Sequence, residues 1–311
     1  MTRHLLEIDD LTSDELAAVL DLAREQRPRP VLAGRGMALV FEKPSNRTRN
    51  ATEIAVVQLG GHPISIRDDE VGFGTRETPE DIARTLACYH AVIGARVRDH
   101  RNLKRMAASL DASGTPVPLI NLLSDRAHPC QALADLLTME EVLGGLRGRT
   151  LAWVGDANNV CRSLLLGGAL AGMRMRIASP SGFALGEADV ERVVALGGSL
   201  ELVDRPEQAV KGAEVVSTDV WVSMGQESEA AARRRAFEGF TVDDGDVPQN
   251  DRFRRRPTRE EQHEDEAPGE DGLRDHPSRI RNHGVAVGRV KTPPRHCQAS
   301  SATPTSSPAS T

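Results

Sequence analysis

Along the first 243 residues, short apolar runs alternate with longer stretches whose apolar positions recur at helical spacing. Thr12-Ser-Asp-Glu15 reads as a capping box, and Leu16, Val19, Leu20 and Leu22 follow it at helical intervals. Met37–Phe41 is an apolar run that predicts a buried strand. A polar stretch follows, then a helix from Ala51 to Leu59 that stops at Gly60-Gly61. His62–Ile66 predicts a further short strand, and Thr78-Pro-Glu-Asp81 a helix start with proline at the first helical position. Strands at Ala91–Ala95 and Val117–Leu122 bracket a helix around Leu103–Leu110. His128–Leu143 predicts a longer helix ending at Gly144-Gly145.

The rhythm restarts at Arg149. Thr150–Val154 reads as a strand, Gly155–Asn159 as a turn and Val160–Ala171 as a helix. Further strands are expected at Arg174–Ser179, Ser199–Val203 and Glu214–Trp221, with helices at Asp189–Leu196 and, more polar, Glu229–Phe237. Strands regularly separated by helices need crossover connections and therefore a parallel sheet. The fold class expected is α/β, with two domains, residues 1–143 and 144–243, each a parallel sheet flanked by helices. A chain of 311 residues exceeds what one core accommodates, and a substrate cleft between the two domains is the expectation. After Asp243 the character changes. Residues 244–311 are charge-dense and end in Ser/Thr/Pro low complexity, so they are expected to be disordered.

Composition narrows the function. A net charge of −6 argues against a partner bound through its nucleic-acid phosphates. The four cysteines, Cys88, Cys130, Cys161 and Cys297, form no C-x-x-C pair or zinc spacing, which suits reduced thiols in a cytosolic protein. Neither a signal-peptide pattern nor a run of about 18 apolar residues is present, so no membrane association and a cytoplasmic location are expected.

The sharpest polar feature is Pro44-Ser45-Asn46-Arg47-Thr48-Arg49, between a strand and a helix. Helix N-termini carry unpaired N–H groups and partial positive charge, and two arginines there oppose the dipole unless an anion is bound. Ser45 and Thr48 add hydroxyls, and Arg47 and Arg49 add forked cations suited to phosphate. The plain alternative is a capped, solvated helix start. For Arg96 it is a surface arginine at a strand end, and for His128 a satisfied helix-cap histidine. Asp219-x-Trp221 can equally be a strand-end carboxylate beside a buried indole. Gly155-Asp156 lacks the G-x-G-x-x-G of a dinucleotide site and reads as a tight βα turn.

Together these segments resemble a family. Phe41–Arg49, His128-Pro129-Cys130-Gln131, Gly155-Asp-Ala-Asn-Asn159 and Asp219-Val-Trp221-Val-Ser223-Met224-Gly225 are similar, in order, to the signatures of the ornithine carbamoyltransferases. The resemblance covers about residues 1–243. It implies transfer of a carbamoyl group from carbamoyl phosphate to the side-chain amine of L-ornithine, giving L-citrulline and phosphate in arginine metabolism. No cofactor, no metal and no covalent intermediate are implied. Carbamoyl phosphate would be held by Ser45, Asn46, Arg47, Thr48, Arg96, His128 and Gln131, with Arg96, His128 and Gln131 acting on the carbonyl and amide. Ornithine would be held by Asn159, Asp219, Ser223 and Met224. A homotrimer is implied as well.

The match has departures. Asn46 stands where threonine is usual, and Gly72 where many relatives carry a phosphate-contacting glutamine, a contact Arg76 could replace. The family's His-Cys-Leu-Pro loop is missing: Arg295-His296-Cys297-Gln298 follows no apolar strand and has Gln298 in place of leucine. Two alternatives are therefore weighed: a chain that binds carbamoyl phosphate without turnover, and an aspartate carbamoyltransferase, against which the Asp219–Gly225 pattern argues. The abrupt loss of pattern after Asp244 is expected to reflect a shifted reading frame. The encoding DNA should then show a His-Cys-Leu-Pro stretch in another frame past codon 244. Absence from both other frames, with a soluble and active chain, would rule this out.

Overall fold

Thr12 caps the first helix as its sequence requires: its hydroxyl accepts from the Glu15 N–H at 3.3 Å, and the Glu15 carboxylate accepts from the Thr12 N–H at 2.9 Å. The computed structural model describes residues 2–25, 28–222 and 227–242, and the backbone of 284–287. In chain order the first half comprises α1 (Ser13–Ala23), β1 (Gly36–Phe41), α2 (Asn46–Gln58), β2 (His62–Arg67), α3 (Asp68–Val71), α4 (Pro79–Ala87), β3 (Val92–Arg96), α5 (His100–Ala112), β4 (Leu119–Leu123) and α6 (Pro129–Leu143). The second comprises β5 (Thr150–Val154), α7 (Asn159–Leu170), β6 (Arg174–Ala178), α8 (Glu187–Ala195), β7 (Ser199–Val203), α9 (Pro206–Val210), β8 (Val215–Thr218), α10 (Ala230–Ala236) and β9 (Gly284–Val287).

The strands form two sheets, ordered β2-β1-β3-β4 and β7-β6-β5-β8-β9. Every pairing among β1–β4 and among β5–β8 is parallel, as the alternating rhythm predicts. β9 is the exception and lies antiparallel to β8. It belongs to the stretch expected to be disordered, the rest of which, beyond Val242, lies outside the described residues.

In both sheets the order reverses around the first strand. β1 connects outward to β2 on one side while β3 lies on its other side, and β5 connects to β6 while β8 lies opposite. The loops leaving the carboxyl ends of β1 and β3, and of β5 and β8, therefore diverge and open a crevice in each sheet.

The largest core cluster does not respect the boundary between the sheets. Ile8, Leu16 and Leu20 from the N-terminal segment and Leu136, Met139 and Leu143 from α6 pack with Trp153, Leu164, Met175 and Val193. α7 lies between, buried along nearly its whole length. Gly167 makes this possible, since a Cβ there would sit 2.8 Å from Leu136 Cδ1. Ion pairs reinforce the junction: Arg192 of α8 binds Glu7 at 2.8 Å and Asp9 at 2.7 Å, and Arg126 pairs with Asp189.

Several elements begin or end where the sequence pattern places them differently. α2 starts at Asn46, not Ala51, because the Ser45 hydroxyl caps it by accepting from the Thr48 N–H at 3.3 Å. The polar run is thus the helix's first turn. β8 stops at Thr218, leaving Asp219–Trp221 in the loop beyond, where Thr218 Oγ1 donates to Val154 O at 2.7 Å and Asp219 takes up turn contacts.

Candidate functional site

Two loops and a strand end meet at the carboxyl edge of the first sheet. The one after β1 carries Ser45–Thr48, β3 ends on Arg96, and the one after β4 carries His128. In register, Arg96 lies beside Phe41 on one side and Leu123 on the other, so it sits at the bottom of the crevice between the two motif loops. Its guanidinium donates to Thr48 Oγ1 at 3.3 Å. Arg96 is only 7% exposed, and its Nε has no hydrogen-bond partner among the described residues. Burial and the nearby Arg47 charge push its pKa down from the ordinary guanidinium value. Two cations thus converge on one helix N-terminus whose first turn contains no acidic residue. An anion is what that arrangement is suited to hold.

Asn46 and Arg47 are exposed in the first turn of α2. Arg49 turns away to Glu53 at 2.9 Å, so Arg47 is the cation of the pair that remains with Arg96. His128 is the N-cap of α6, and its backbone N–H donates to Ser163 Oγ at 2.8 Å. Gln131, in the first turn of α6, donates from Nε2 to Asp135 Oδ1 at 2.9 Å, which fixes the amide's orientation.

On the second sheet, Gly155 adopts φ 127, a conformation that glycine reaches readily, and turns the chain sharply out of β5. Asn158 caps α7, accepting from Val160 and Cys161 N–H groups, and its Nδ2 crosses the crevice to Asp219 Oδ2 at 2.8 Å. Asn159 points elsewhere: its Nδ2 donates to Ser124 O, in the loop before His128, at 2.7 Å. Ser223 and Met224 lie outside the described residues.

Two participants escape the sequence reading. Arg233, on the helix read from sequence as polar, is 5% exposed. Its Nε donates to Trp221 O at 2.6 Å, its Nη2 pairs with Asp156, and its guanidinium stacks 4.7 Å from the Phe183 ring centroid. Burial pushes the Asp156 carboxyl up even so, with Arg233 pulling the other way. Arg233 thus ties the β5 turn to the loop that carries Asp219. The other is Asn158, whose asparagine neighbour drew the assignment. Two of the thiols are not poised as nucleophiles: burial pushes Cys130 up to about 11 and Cys161 well above the ordinary thiol value. No helix among the described residues is long and apolar enough to cross a membrane.

Two family models match successive parts of the chain. The carbamoyl-phosphate-binding domain model of the aspartate/ornithine carbamoyltransferases matches residues 3–141, and the aspartate/ornithine-binding domain model matches residues 147–247. An ornithine carbamoyltransferase from Acidothermus cellulolyticus is 49% identical over 255 residues, 78% of this chain and 80% of that protein. One from Thermus thermophilus is 44% identical over 246 residues, 78% of each chain. The solved ornithine carbamoyltransferase of Pyrococcus furiosus superposes with a TM-score of 0.73 at 39% identity, covering 78% of this chain and 80% of that one. With both domain models matched in order and relatives this similar over most of their length, the chain belongs to the ornithine carbamoyltransferase family, a family of transferases.

Proposed function

We propose that this chain transfers the carbamoyl group of carbamoyl phosphate to the side-chain amine of L-ornithine, forming L-citrulline and phosphate. The observation that supports it most is Arg96, a buried cation at the bottom of the first crevice without a carboxylate partner among the described residues. The phosphate would sit on the α2 N-terminus, held by Ser45, Asn46, Arg47 and Thr48. Arg96 and His128 would donate to the carbamoyl oxygen as it gains charge, which favours the tetrahedral transition state over the planar ground state. Gln131, its amide oriented by Asp135, would accept from the carbamoyl NH₂. Across the junction, Asp219, held by Asn158 Nδ2 at 2.8 Å, would pair with the ornithine α-ammonium, with Ser223 and Met224 completing that subsite.

The attacking amine must be neutral, and phosphate leaves with its charge matched by the arginines. Nothing covalent forms between chain and substrate, so the catalysis is positioning and electrostatic preorganisation. A cytoplasmic homotrimer is the working state proposed. The test is citrulline formation from purified full-length chain, with ornithine and aspartate offered side by side. Citrulline production supports the proposal, and carbamoylation of aspartate alone would replace it.

A second reading has one observation in its favour: the family match ends at residue 247, and no His-Cys-Leu-Pro loop follows in the sequence. A chain of that kind binds carbamoyl phosphate without turning it over. Calorimetric binding in the absence of any citrulline would decide for it.

Asp219→Asn should raise the KM for ornithine at least tenfold and that for carbamoyl phosphate far less. It removes the counter-charge of the ammonium, a charge-assisted contact worth roughly 1.5–3 kcal/mol. If the chain binds without turnover, the same split is read in the two dissociation constants. Equal effects on both substrates would overturn the division of the two subsites.

A further inference from the structure

The loop from Ser124 to His128 joins β4 to α6 in the first half of the molecule, yet much of what holds it comes from the second. Asn159 Nδ2 donates to Ser124 O at 2.7 Å. Arg162 Nη2 donates to Asp125 O at 3.0 Å, and its Nε to Arg126 O at 3.3 Å. Ser163 Oγ accepts the His128 N–H at 2.8 Å while donating to Asn159 O at 2.8 Å. Three successive carbonyls and the histidine's own N–H are thus engaged by two turns of α7. The third donor of Arg162, Nη1, returns to Ala157 O at 3.3 Å, in the turn whose Asn158 reaches Asp219.

Arg162 is an unusual choice for a structural prop. The side chain is half-buried, and burial lowers its pKa. Among the described residues its hydrogen bonds all go to backbone carbonyls. The fork geometry is what lets one side chain serve several carbonyls of the loop at once. An arginine can bridge Asp125, Arg126 and Ala157 at once because its five donors are fixed in one plane. A lysine has no such reach.

We infer that Arg162 is a positioning residue for His128: from the ornithine half it fixes the Ser124–His128 loop, and carbamoyl phosphate binding depends on it although it touches neither substrate. This rests on the reading of His128 given under the proposed function. It makes the phosphate subsite incomplete without the second sheet, and it links that subsite through α7 to Asp219.

The experiment is a calorimetric titration of the full-length chain with carbamoyl phosphate, without ornithine, for Arg162→Met, His128→Ala and the double variant. Arg162→Met should weaken binding about tenfold, because displacing a contact by a fraction of an ångström has costs of that order. In the His128→Ala background the same substitution should add less than about twofold, since what it positions is gone. An undiminished effect in that background, or no effect alone, would overturn the inference and leave Arg162 a purely structural tie. If Arg162→Met does not fold, Ser163→Ala, which removes the acceptor of the His128 N–H, should give the same non-additive pattern, and additivity there overturns the inference equally. Should the unsubstituted chain bind no carbamoyl phosphate, the reading of the phosphate subsite itself fails, and the inference with it.

Discussion

Arg96→Met should weaken carbamoyl phosphate binding at least about tenfold while leaving the melting temperature unchanged or slightly raised. The two effects separate because the fold gains little from this arginine. It is buried, its hydrogen bond to Thr48 is a long 3.3 Å, its Nε has no partner among the described residues, and Arg47 lies near enough to disfavour its charge. Desolvating a cation without a counter-charge costs stability that an apolar side chain of similar length does not. A ligand phosphate supplies what is missing. One charge-assisted contact is worth roughly 1.5–3 kcal/mol, so affinity should fall at least about tenfold, and further if the carbamoyl oxygen is a second acceptor. Titration and a thermal melt on the same preparation read both arms. A melting temperature lowered by several degrees with affinity intact would make Arg96 a structural pillar instead.

The second large effect is on stability. Arg233→Met should cost about 3–5 kcal/mol, the range for removing one member of a buried ion pair. Asp156 would be left with its carboxylate desolvated and its cation gone, and Trp221 O would lose its donor. For a chain of this size the loss corresponds to a drop of about ten degrees in melting temperature. The pH dependence has a definite sign. Asp156 is an acid whose folded-state pKa is already raised by burial. Such a group contributes stability below its unfolded pKa, near 4, and loses it as pH rises. Removing Arg233 raises the folded value further, so the deficit of the variant should be small near pH 4 and full at neutrality. Arg233→Lys should recover only part of it, since an ammonium cannot serve Asp156 and Trp221 O together. A deficit independent of pH would mean that lost packing against Phe183 and Phe237, not the ion pair, dominates.

Much of the architecture could be read from local pattern. Parallel strands buried on both faces are runs of apolar residues, and β1 and β5 stand out for that reason. The motifs likewise fall where strands feed helices. What local pattern hides is the partner of a polar side chain. Asn158 and Asn159 are indistinguishable in sequence, yet one caps α7 and reaches Asp219 while the other crosses to Ser124. Arg162 and Arg233 look like ordinary surface charges because the groups that desolvate them are far along the chain: Asp125 lies 37 residues from Arg162, and Asp156 lies 77 from Arg233. The start of α2 was obscured for a different reason. A polar, basic first turn scores as loop until the Ser45 cap is recognised, and it is polar because its exposed end is suited to an anion.

The shared core has a consequence for synthesis. The first sheet is complete in sequence by Leu123, and α6 by Leu143, but Leu136, Met139 and Leu143 pack against Trp153, Leu164 and Met175, which follow them along the chain. At translation rates of about 5–20 residues per second, a nascent chain displays this unfinished apolar face for seconds before β6 leaves the ribosome. The N-terminal segment waits as well, since Ile8, Leu16 and Leu20 belong to the same cluster. The first half therefore cannot mature as an independent unit, and the interval between Leu143 and Ala178 is when a growing chain is most exposed to chaperones and to its neighbours on the same message.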